Sequence, residues 1–372
     1  MDDIFSAINL IYKKLPKKKI TLKDANKLKN KDIIDFPISI NKDIPPFNQS
    51  AMDGIGVVKK NNEYLIKGIT YLNKITKKKI KNNECFIVKT GSLLPDNINY
   101  IIPAERLIRK KNKFFVLDYN FRNSFLRYKG HIYKKNSVIR KNKEFINTKD
   151  YIVIKSINNL KVRVIKKLNF KIISTGSEFT KKHFINHTNG EYINNFINKY
   201  GHTVDQCIHL NDDQNKIYQE IKNSKSDITL IIGGTGKSKD DINFKNIKLK
   251  IDGIDLKPGK PFKFYSEKSK LYMFFPGNPC SSFVLTNIII KSIFNYYQNK
   301  KSKLDYKLIN KSNLKYNFTN LTRKSFLFAL KKKNEIKIFS NQESSNLANI
   351  LNSNCLVYYD KTSKLRVYDL ND

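Results

Sequence analysis

Cysteine, methionine and tryptophan are scarce or missing: the 372 residues contain four, three and none of them. The cysteines lie far apart and form no C-x-x-C pair, which argues against a disulfide framework or a zinc site and fits a reducing compartment. No apolar run is long enough to span a membrane, and residues 1–4 lack the basic-then-apolar order of a signal peptide. These absences predict a soluble cytoplasmic protein.

Negative charge is also scarce, because 32 Asp and Glu residues stand against 71 Lys and Arg, for a formal net charge of +39. Such a surplus is typical of nucleic-acid-binding proteins. However, only eight of the basic residues are arginines, and the lysines are scattered along the whole chain. A dedicated reader of nucleic acid concentrates its charge and uses arginine for bidentate contacts. We attribute the surplus to a compositionally biased genome and expect an anionic ligand without specific nucleic-acid binding.

The length predicts two or three domains, and an apolar content of 40% is enough to build their cores. Apolar residues at helical spacing predict a helix over residues 3–15, which Pro16 ends. Thr21 with Asp24 resembles a capping box and predicts a second helix after it.

In the rest of the chain the pattern of predicted strands and helices changes twice. Short strand-like runs separated by Lys/Asn turns predict a small β domain over residues 55–120. From residue 161 the pattern becomes an alternation of strands and helices, and beyond residue 304 short strands return and end in a predicted hairpin. The predicted strands of the middle part are 170–173, 203–209, 228–232 and 271–275, its predicted helices are 189–200 and 212–223, and the hairpin pairs 356–359 with 365–368.

Three glycine-containing loops lie close together between residues 227 and 286. They are GGTG (residues 233–236), KPGKP (257–261) and PGNP (276–279), and the first and third directly follow predicted strands. Small residues after a strand let a ligand approach backbone N–H groups, and a following helix adds partial positive charge. The series indicates a phosphate-bearing ligand at the carboxyl edge of a sheet.

Further blocks of special residues lie upstream. PPFNQSAMDG (residues 45–54) is too polar for a buried strand and is typical of a rigid loop that presents Asp53. TGSLLPD (residues 90–96) with the following IIPAE, and STGSE (residues 174–178), are other turns that end strands. In this order these blocks resemble the molybdopterin molybdenumtransferase family, which includes MoeA and the gephyrin E domain. The resemblance spans essentially the full length, and its first and last blocks are highly specific.

The resemblance implies a multi-domain α/β fold. It places a doubly wound molybdopterin-binding domain at residues 165–303, an inserted small β domain at 41–130, an elongated helical and extended domain at 1–40 with 131–164, and a C-terminal β domain at 304–372. It also implies a homodimer that inserts molybdenum from molybdate into adenylylated molybdopterin, releases AMP and requires Mg²⁺. Transient contact with the molybdopterin adenylyltransferase and with molybdoenzymes is expected on the same ground.

The chain departs from the family pattern around the expected anion and metal pocket. Asn48 and Gln49 stand where the family usually has an acidic residue, and residues 130–132 read Gly-His-Ile instead of Gly-Glu-Asp or Gly-His-Asp. Residues 233–236 replace the usual Gly-Gly-Val-Ser, and Gly253 replaces a lysine that often precedes KPGKP. These departures leave open a slowed or diverged activity, and the sequence does not decide between molybdate and tungstate.

Carboxylates beyond the predicted strand ends are the expected metal ligands, because Mg²⁺ prefers oxygen and typically bridges one or two carboxylates to substrate phosphates. Asp212 and Asp241 match acidic positions of the family and are the predicted ligands. Asp213 and Asp240 are alternatives if the register shifts by one residue, and Asp212 could instead cap the following helix. The family match also assigns Glu178 to the site, as a ligand of the metal or of its water.

Positive charge and small residues complete the expected site. Lys257 and Lys260 flank a Pro-Gly turn and suit molybdate, a phosphate or the charge that develops as the phosphoanhydride breaks. Ser281 and the amides after Pro279 are expected to donate to the same oxyanion. The predicted catalytic residues are Asp53, Thr90, Glu178, Lys257 and Lys260, and the predicted cofactor-binding residues are Gly176, Gly233, Gly234, Pro276, Gly277, Asn278, Pro279 and Ser281. In the family, the domain with Asp53 and Thr90 closes over the sheet edge of the partner subunit.

Other interpretations have weaker support. His183 and His187 have the i, i+4 spacing of metal ligands, but no third ligand is nearby, so two surface histidines are preferred. No nucleophile–base pair is evident, which fits catalysis by positioning and a metal. A related adenylyltransferase would lack residues 45–54 and the long N-terminal half. A scaffold without activity would not need Asp53, Thr90 and the PGNP loop together.

Overall fold

The computed structural model describes residues 2–120, 123–140, 148–157, 160–176, 188–236, 241–242, 247–298, 304–333 and 335–370. Within these ranges, none of the helices combines the length and the apolar character that crossing a membrane requires.

Short strands and short helices alternate along the chain. The helices are α1 (Ile4–Lys14), α2 (Thr148–Ser156), α3 (Asn189–Lys199), α4 (Gln214–Lys222), α5 (Pro279–Leu285), α6 (Lys291–Tyr297) and α7 (Ala348–Asn352), and a π-helical turn at Thr286–Ile290 joins α5 to α6. The strands are β1 (Ile20–Asp24), β2 (Ile33–Ile34), β3 (Ile38–Ser39), β4 (Gln49–Ser50), β5 (Gly54–Val57), β6 (Glu63–Ile69), β7 (Glu84–Val88), β8 (Tyr100–Pro103), β9 (Leu107–Lys110), β10 (Lys113–Val116), β11 (Leu126–Arg127), β12 (Val138–Arg140), β13 (Lys161–Ile165), β14 (Asn169–Thr175), β15 (Thr203–Leu210), β16 (Ile228–Ile232), β17 (Ile251–Asp252), β18 (Lys263–Glu267), β19 (Lys270–Phe275), β20 (Lys307–Asn310), β21 (Ser325–Lys332), β22 (Glu335–Ile338), β23 (Cys355–Tyr359) and β24 (Lys364–Asp369).

Helix α1 confirms the first predicted helix. Asp3 caps it, since its carboxylate accepts a hydrogen bond from the Phe5 amide at 3.1 Å and so satisfies an amide that has no partner within the helix. The apolar stripe of Ile4, Ile8 and Ile11 is buried in the largest core of the molecule.

The predicted second helix is wrong, because Ile20–Asp24 forms strand β1. This strand pairs antiparallel with β13, beginning with Ile20 opposite Ile165. The β-branched side chains of Ile20 and Thr21 favour an extended backbone. Asp24 precedes a 3-10 turn and makes no capping hydrogen bond through its side chain. Strand pairing with a distant segment therefore overrides the local capping pattern.

The predicted small β domain contains a six-stranded sheet in the order β8-β5-β7-β6-β10-β9. Strand β5 is buried along its whole length and lies between β7 and β8. Because β5 begins at Gly54, the loop that ends at Asp53 is held against the segments that follow β7 and β8. These segments contain the TGSLLPD and IIPAE blocks.

The middle part of the chain forms a six-stranded mixed sheet in the order β15-β14-β16-β19-β18-β17. Strands β15, β14, β16 and β19 are parallel to one another, and β18 and β17 complete the sheet in antiparallel pairs. The predicted alternation of strands and helices is confirmed in this part. Parallel strands expose their carboxyl ends along one edge, which is where an open α/β sheet places its ligand.

The C-terminal sheet has the order β20-β24-β23-β21-β22, and β23 and β24 form the predicted terminal hairpin. One face of this sheet packs into the core shared by α1 and the mixed sheet. Phe5 of α1 meets Tyr358 of β23 with ring centroids 5.2 Å apart, and Phe283 of α5 meets Phe328 of β21 at 6.0 Å. The observed architecture is the predicted multi-domain α/β fold.

Candidate functional site at the edge of the mixed sheet

The carboxyl ends of β14, β15, β16 and β19 form an edge where the strand-end loops meet. Gly176 follows β14 and donates its amide to the Leu210 carbonyl at 3.2 Å, and Gly233 follows β16 and donates to the Phe275 carbonyl at 2.9 Å. The chain leaves β14 towards β15 but leaves β16 towards β19. The crevice between β14 and β16 is therefore a topological switch point, the usual ligand position in such a sheet.

Gly233 has no room for a side chain in this crevice. Its φ is +100°, and an added Cβ would lie 2.7 Å from the carbonyl oxygen of Thr175. A Cβ on Gly277 would lie 3.5 Å from the Gly233 Cα, so the loops after β16 and β19 run side by side. The structure thus brings the predicted glycines Gly176, Gly233, Gly234 and Gly277 together at one edge.

The PGNP loop opens helix α5. The Asn278 side chain accepts from the Ser281 amide at 3.1 Å, and Pro279 occupies the start of the helix, where its missing N–H costs nothing. Ser281 itself is buried. The backbone amide of Ser281 takes part in this helix cap. The sequence predicted that Ser281 and the amides after Pro279 would donate to a bound anion. Pro276 follows β19, and its carbonyl accepts from the Ser282 hydroxyl at 2.6 Å.

The two aspartates after β15 have different roles. Asp213 is the N-cap of α4, because its carboxylate accepts from the Lys216 amide at 3.2 Å. The alternative that Asp212 caps this helix is therefore wrong. Asp212 is half-buried and lies between the end of β15 and the cap residue, which is the position expected for a strand-end ligand.

Asp241 is more tightly held than its sequence context suggested. Its carboxylate accepts from the Gly236 amide at 3.0 Å, and its carbonyl oxygen accepts from the Gln214 side chain at 2.7 Å. A Cβ on Gly236 would lie 2.7 Å from the Asp241 carboxylate. The Asp241 carboxylate therefore holds the shape of the glycine loop.

In the β domain, Asp53 and Thr90 form a direct pair, which the sequence predicted only as two members of one site. One carboxylate oxygen of Asp53 accepts from the Thr90 amide at 2.7 Å and from the Thr90 hydroxyl at 2.8 Å. The amide, followed by the hydroxyl, holds the pKa of the Asp53 carboxyl below its usual range. Both residues are exposed, so the pair presents an ionised carboxylate in a defined orientation at the surface.

Backbone hydrogen bonds between the two loops hold Asp53 and Thr90 next to each other. The Ser50 amide donates to the Ser92 carbonyl at 3.1 Å, and the Gly91 amide donates to the Ser50 carbonyl at 2.8 Å. An added Cβ on Gly54 would lie 2.0 Å from the Ile102 carbonyl oxygen. The PPFNQSAMDG, TGSLLPD and IIPAE blocks are thus in direct backbone contact with one another.

Comparison with known proteins identifies the family of the chain. A family model described as the MoeA N-terminal region (domain I and II) matches residues 4–157, and a model of a probable molybdopterin binding domain matches residues 171–295. Together they cover most of the chain. It belongs to the MoeA family.

Individual relatives of this MoeA-family chain are distant. A Methanocaldococcus jannaschii protein named for molybdopterin biosynthesis is 27% identical in an alignment of length 317 that covers 78% of this chain and 79% of the relative. A molybdopterin molybdenumtransferase of Synechocystis sp. is 27% identical in an alignment of length 269 that covers 66% of this chain and 69% of that protein. The crystal structure of a molybdopterin biosynthesis MoeA protein from Pyrococcus horikoshii matches with a TM-score of 0.78 at 19% identity, covering 100% of this chain and 99% of that one. This last likeness shows the fold.

The KPGKP loop of the MoeA-family chain joins the mixed sheet to the C-terminal sheet. The Lys257 amide donates to the Lys324 carbonyl, and the Phe326 amide donates to the Lys257 carbonyl, each at 2.9 Å. A Cβ on Gly259 would lie 3.1 Å from the Leu285 side chain at the end of α5. The Lys257 side chain is exposed and lines a cavity of about 1110 Å³ in the C-terminal part, and Lys260 is half-buried.

The donor set at the sheet edge fits Mg²⁺. Asp212 and Asp241 supply carboxylate oxygens, and a carboxylate can accept an amide hydrogen bond through one oxygen while it binds a metal through the other. Over the described part of the chain, no group of three or more His, Cys, Asp or Glu side chains is arranged to hold a metal. Two carboxylates are enough for Mg²⁺, which commonly takes one or two protein ligands and completes its shell with water and phosphate.

Some predicted residues cannot be placed. Glu178, Asp240, His183 and His187 lie outside the described residues. Conversely, the structure adds two residues that the sequence did not single out, Gln214 and Asn189. Both are amides at the first position of a helix, and each reaches a strand-end loop.

Proposed function

We propose that this chain is a molybdopterin molybdenumtransferase, which transfers molybdenum from molybdate to adenylylated molybdopterin and releases AMP. The observation that carries the proposal is the crevice between β14 and β16, where glycine-containing loops meet, with Asp212 and Asp241 in the segments that follow β15 and β16. Such an edge suits a phosphate-bearing ligand with a metal ion. The names of curated relatives in Synechocystis and Staphylococcus aureus support the same reaction.

In this proposal the glycines of the crevice let the ligand phosphates approach the backbone, and Asp212 and Asp241 hold Mg²⁺. When bound, Mg²⁺ offsets the repulsion between the substrate anions. Asp241 has a second task, because its carboxylate holds the Gly236 amide and thereby the shape of the loop. Glu178 is assigned to the same site on the family pattern.

Lys257 and Lys260 supply positive charge for molybdate or for the phosphate that leaves as AMP. Their loop packs on α5, the helix that begins in the crevice at the PGNP turn. Lysine suits this task because its ammonium is a mobile point charge that can follow a reacting anion.

Asp53 and Thr90 are proposed to complete the site of a partner subunit in a homodimer. Their hydrogen bonds lie within the β domain and hold the exposed Asp53 carboxylate in one orientation. The division into domains at 1–40 with 131–164, 41–130, 165–303 and 304–372 belongs to the same proposal.

A second candidate is a relative that binds molybdopterin but has an adenylyltransferase activity or none. The altered residues 130–132 and 233–236 favour it, because the first lack a carboxylate that the family pattern usually contains and the second carry their hydroxyl at Thr235 instead of at position 236. Against it, the Asp53–Thr90 pair is built and ionised, which a binding module does not require.

The test is AMP release from adenylylated molybdopterin, measured chromatographically with molybdate and Mg²⁺. Asp241→Asn keeps an oxygen acceptor for the Gly236 amide but removes the charge. We expect the rate to fall on the order of a hundredfold or more, since residues that only orient metal ligands already cost about 10–100-fold. Asp213→Asn is the matched control, because asparagine also caps helices, and it should turn over normally.

Two results would count against the assignment. Normal turnover by Asp241→Asn would show that this carboxylate holds no essential metal. No AMP release by the unaltered chain, together with no nitrate reductase activity in a complemented strain that lacks the molybdenum-insertion enzyme, would exclude the function and favour the binding protein.

A further inference from the structure

Two amide side chains at the starts of neighbouring helices reach the strand-end loops. Gln214, the first residue of α4, donates from Nε2 to the Asp241 carbonyl at 2.7 Å. Asn189, the first residue of α3, donates from Nδ2 to the Gly277 carbonyl at 2.7 Å. Helix α4 follows β15 and α3 follows β14, whereas the accepting loops follow β16 and β19. Each hydrogen bond therefore joins the two sides of the crevice.

The Gln214 bond acts on the residue that organises the glycine loop. Asp241 accepts the Gly236 amide through its carboxylate, and the next residue, Ile242, donates its amide to the Gly234 carbonyl at 2.9 Å. A donor that holds the main chain at Asp241 therefore holds the direction of its side chain. Gln214 also lies two residues after Asp212, so the same hydrogen bond links the two segments that carry the proposed metal ligands.

Capping does not explain these amides. Asp213 already caps α4 through the Lys216 amide, and the Gln214 side chain donates to a different element instead of to its own helix. The residue type is also informative. A lysine or arginine could donate to the same carbonyl, but it would place a full positive charge beside a cation site, whereas an amide donates without net charge.

We propose that Gln214 and Asn189 are positioning residues, which hold the Asp241 and Gly277 loops in the geometry that the metal and the ligand phosphate require. This inference rests on the proposed function of the same crevice. Neither residue touches the reacting atoms in this account. Each acts through a main-chain carbonyl of a loop that contacts the metal or the ligand in this proposal.

The test uses apolar replacements of similar size and leaves substrate out. Gln214→Met and Asn189→Leu remove the donors, and Gln219→Met and Asn195→Leu are matched controls on exposed positions of the same helices. Mn²⁺, read by electron paramagnetic resonance, replaces Mg²⁺, and AMP reports on the phosphate site. We expect Gln214→Met to weaken Mn²⁺ binding about fivefold, the effect of one lost hydrogen bond. Asn189→Leu should weaken AMP binding by a similar factor and leave Mn²⁺ binding unchanged.

Amide hydrogen exchange supplies a readout that needs neither metal nor activity. In Gln214→Met the Gly236 and Ile242 amides should exchange several-fold faster than in Gln219→Met, at the same thermal midpoint. Equal exchange and equal Mn²⁺ affinity in these two variants would overturn the inference for Gln214, and Asn189→Leu tests it independently if Gln214→Met does not fold. If the unaltered chain binds neither Mn²⁺ nor AMP, the proposed function fails, while the exchange comparison still decides whether the amides hold the loops.

Discussion

Asp53 presents one carboxylate oxygen to two donors of the same residue, Thr90. Two hydrogen bonds from one partner restrict the rotation of the carboxylate and stabilise its charged form. This arrangement suits a group that accepts hydrogen bonds from a ligand or binds a cation. An exposed carboxylate without such donors would sample several orientations.

The pKa of Asp53 offers a direct test of this pair. The folded-state pKa of Asp53 is lowered, so the pair stabilises the folded protein at pH values above the ordinary pKa of an aspartate. This stabilisation is lost as the pH falls through the lowered pKa. Thr90→Val removes the hydroxyl but keeps the amide, the larger cause. We expect the Asp53 pKa to rise but to stay below its ordinary range, as followed by carboxyl ¹³C shifts against pH.

Thr90→Ser is the control for this titration, since it retains both donors and should leave the pKa where it is. An Asp53 that titrates in wild type like a free aspartate would show that the pair does not form in solution.

The sequence predicted Asp53 and Thr90 as catalytic residues and Asp212 and Asp241 as metal ligands, but it did not predict how these side chains are held. The Asp53–Thr90 contact depends on β5 lying beside β7, which joins residues far apart in sequence. For Asp241 the sequence did not reveal the Gly236 amide and the Gln214 side chain as its donors, because these contacts depend on the folded loop and on helix α4. Local pattern gives the residue type, and tertiary pairing decides its neighbours.

At the scale of elements, periodicity predicted those segments whose burial is regular. Strands β14, β16 and β19 read as apolar runs because both faces of a parallel sheet are covered, and α1 and α3 show helical stripes. Strand β1 was missed because its five residues are exposed or half-buried and show no alternation. Its strand character comes from pairing with β13, which no local pattern reveals.

The two strand-end glycine loops differ in what a side chain would do there, and this leads to a prediction. Gly233→Ala places a Cβ 2.7 Å from the Thr175 carbonyl oxygen at a φ of +100°, so the loop must move. Gly277→Ala places one 3.5 Å from the Gly233 Cα, an ordinary contact. We expect Gly233→Ala to lower the thermal midpoint and Gly277→Ala to leave it unchanged.

AMP affinity should reveal an effect of Gly277→Ala that the thermal midpoint does not. A Cβ at Gly277 projects beside Gly233 in the crevice, so Gly277→Ala is expected to weaken AMP binding about tenfold although it is stable. Calorimetric titration with AMP measures this. Unaltered affinity in Gly277→Ala would place the phosphate elsewhere on the sheet edge.

For the molecule as a whole, the net charge of +39 leads to a prediction about its affinity for polyanions such as DNA. Scattered lysines neutralise few phosphates at once, so binding to random duplex DNA should be weak and should disappear near physiological salt. Fluorescence anisotropy with a labelled duplex across a salt series measures this. Submicromolar affinity that persists at physiological salt, with a steep salt dependence, would revive a nucleic-acid role.

The largest core connects α1, the mixed sheet and the C-terminal sheet, whereas the six-stranded sheet of the β domain has smaller cores of its own. A proposed site that draws Asp241 from the first body and Asp53 from the second therefore needs the two to face each other. In the family arrangement they do so between subunits. Sedimentation should accordingly show a dimer at micromolar concentration.

Mixing two inactive variants tests whether the site is shared between subunits. If Asp53 of one subunit serves the sheet edge of its partner, a heterodimer of Asp53→Asn with Asp241→Asn contains one site with both substitutions and one site with neither. After unfolding and refolding an equal mixture, half of the dimers are mixed. AMP release should then recover to about a quarter of the wild-type rate, although each variant alone is inactive. If both residues serve the site of their own subunit, every site in the mixture carries one substitution and the rate stays at the level of the single variants.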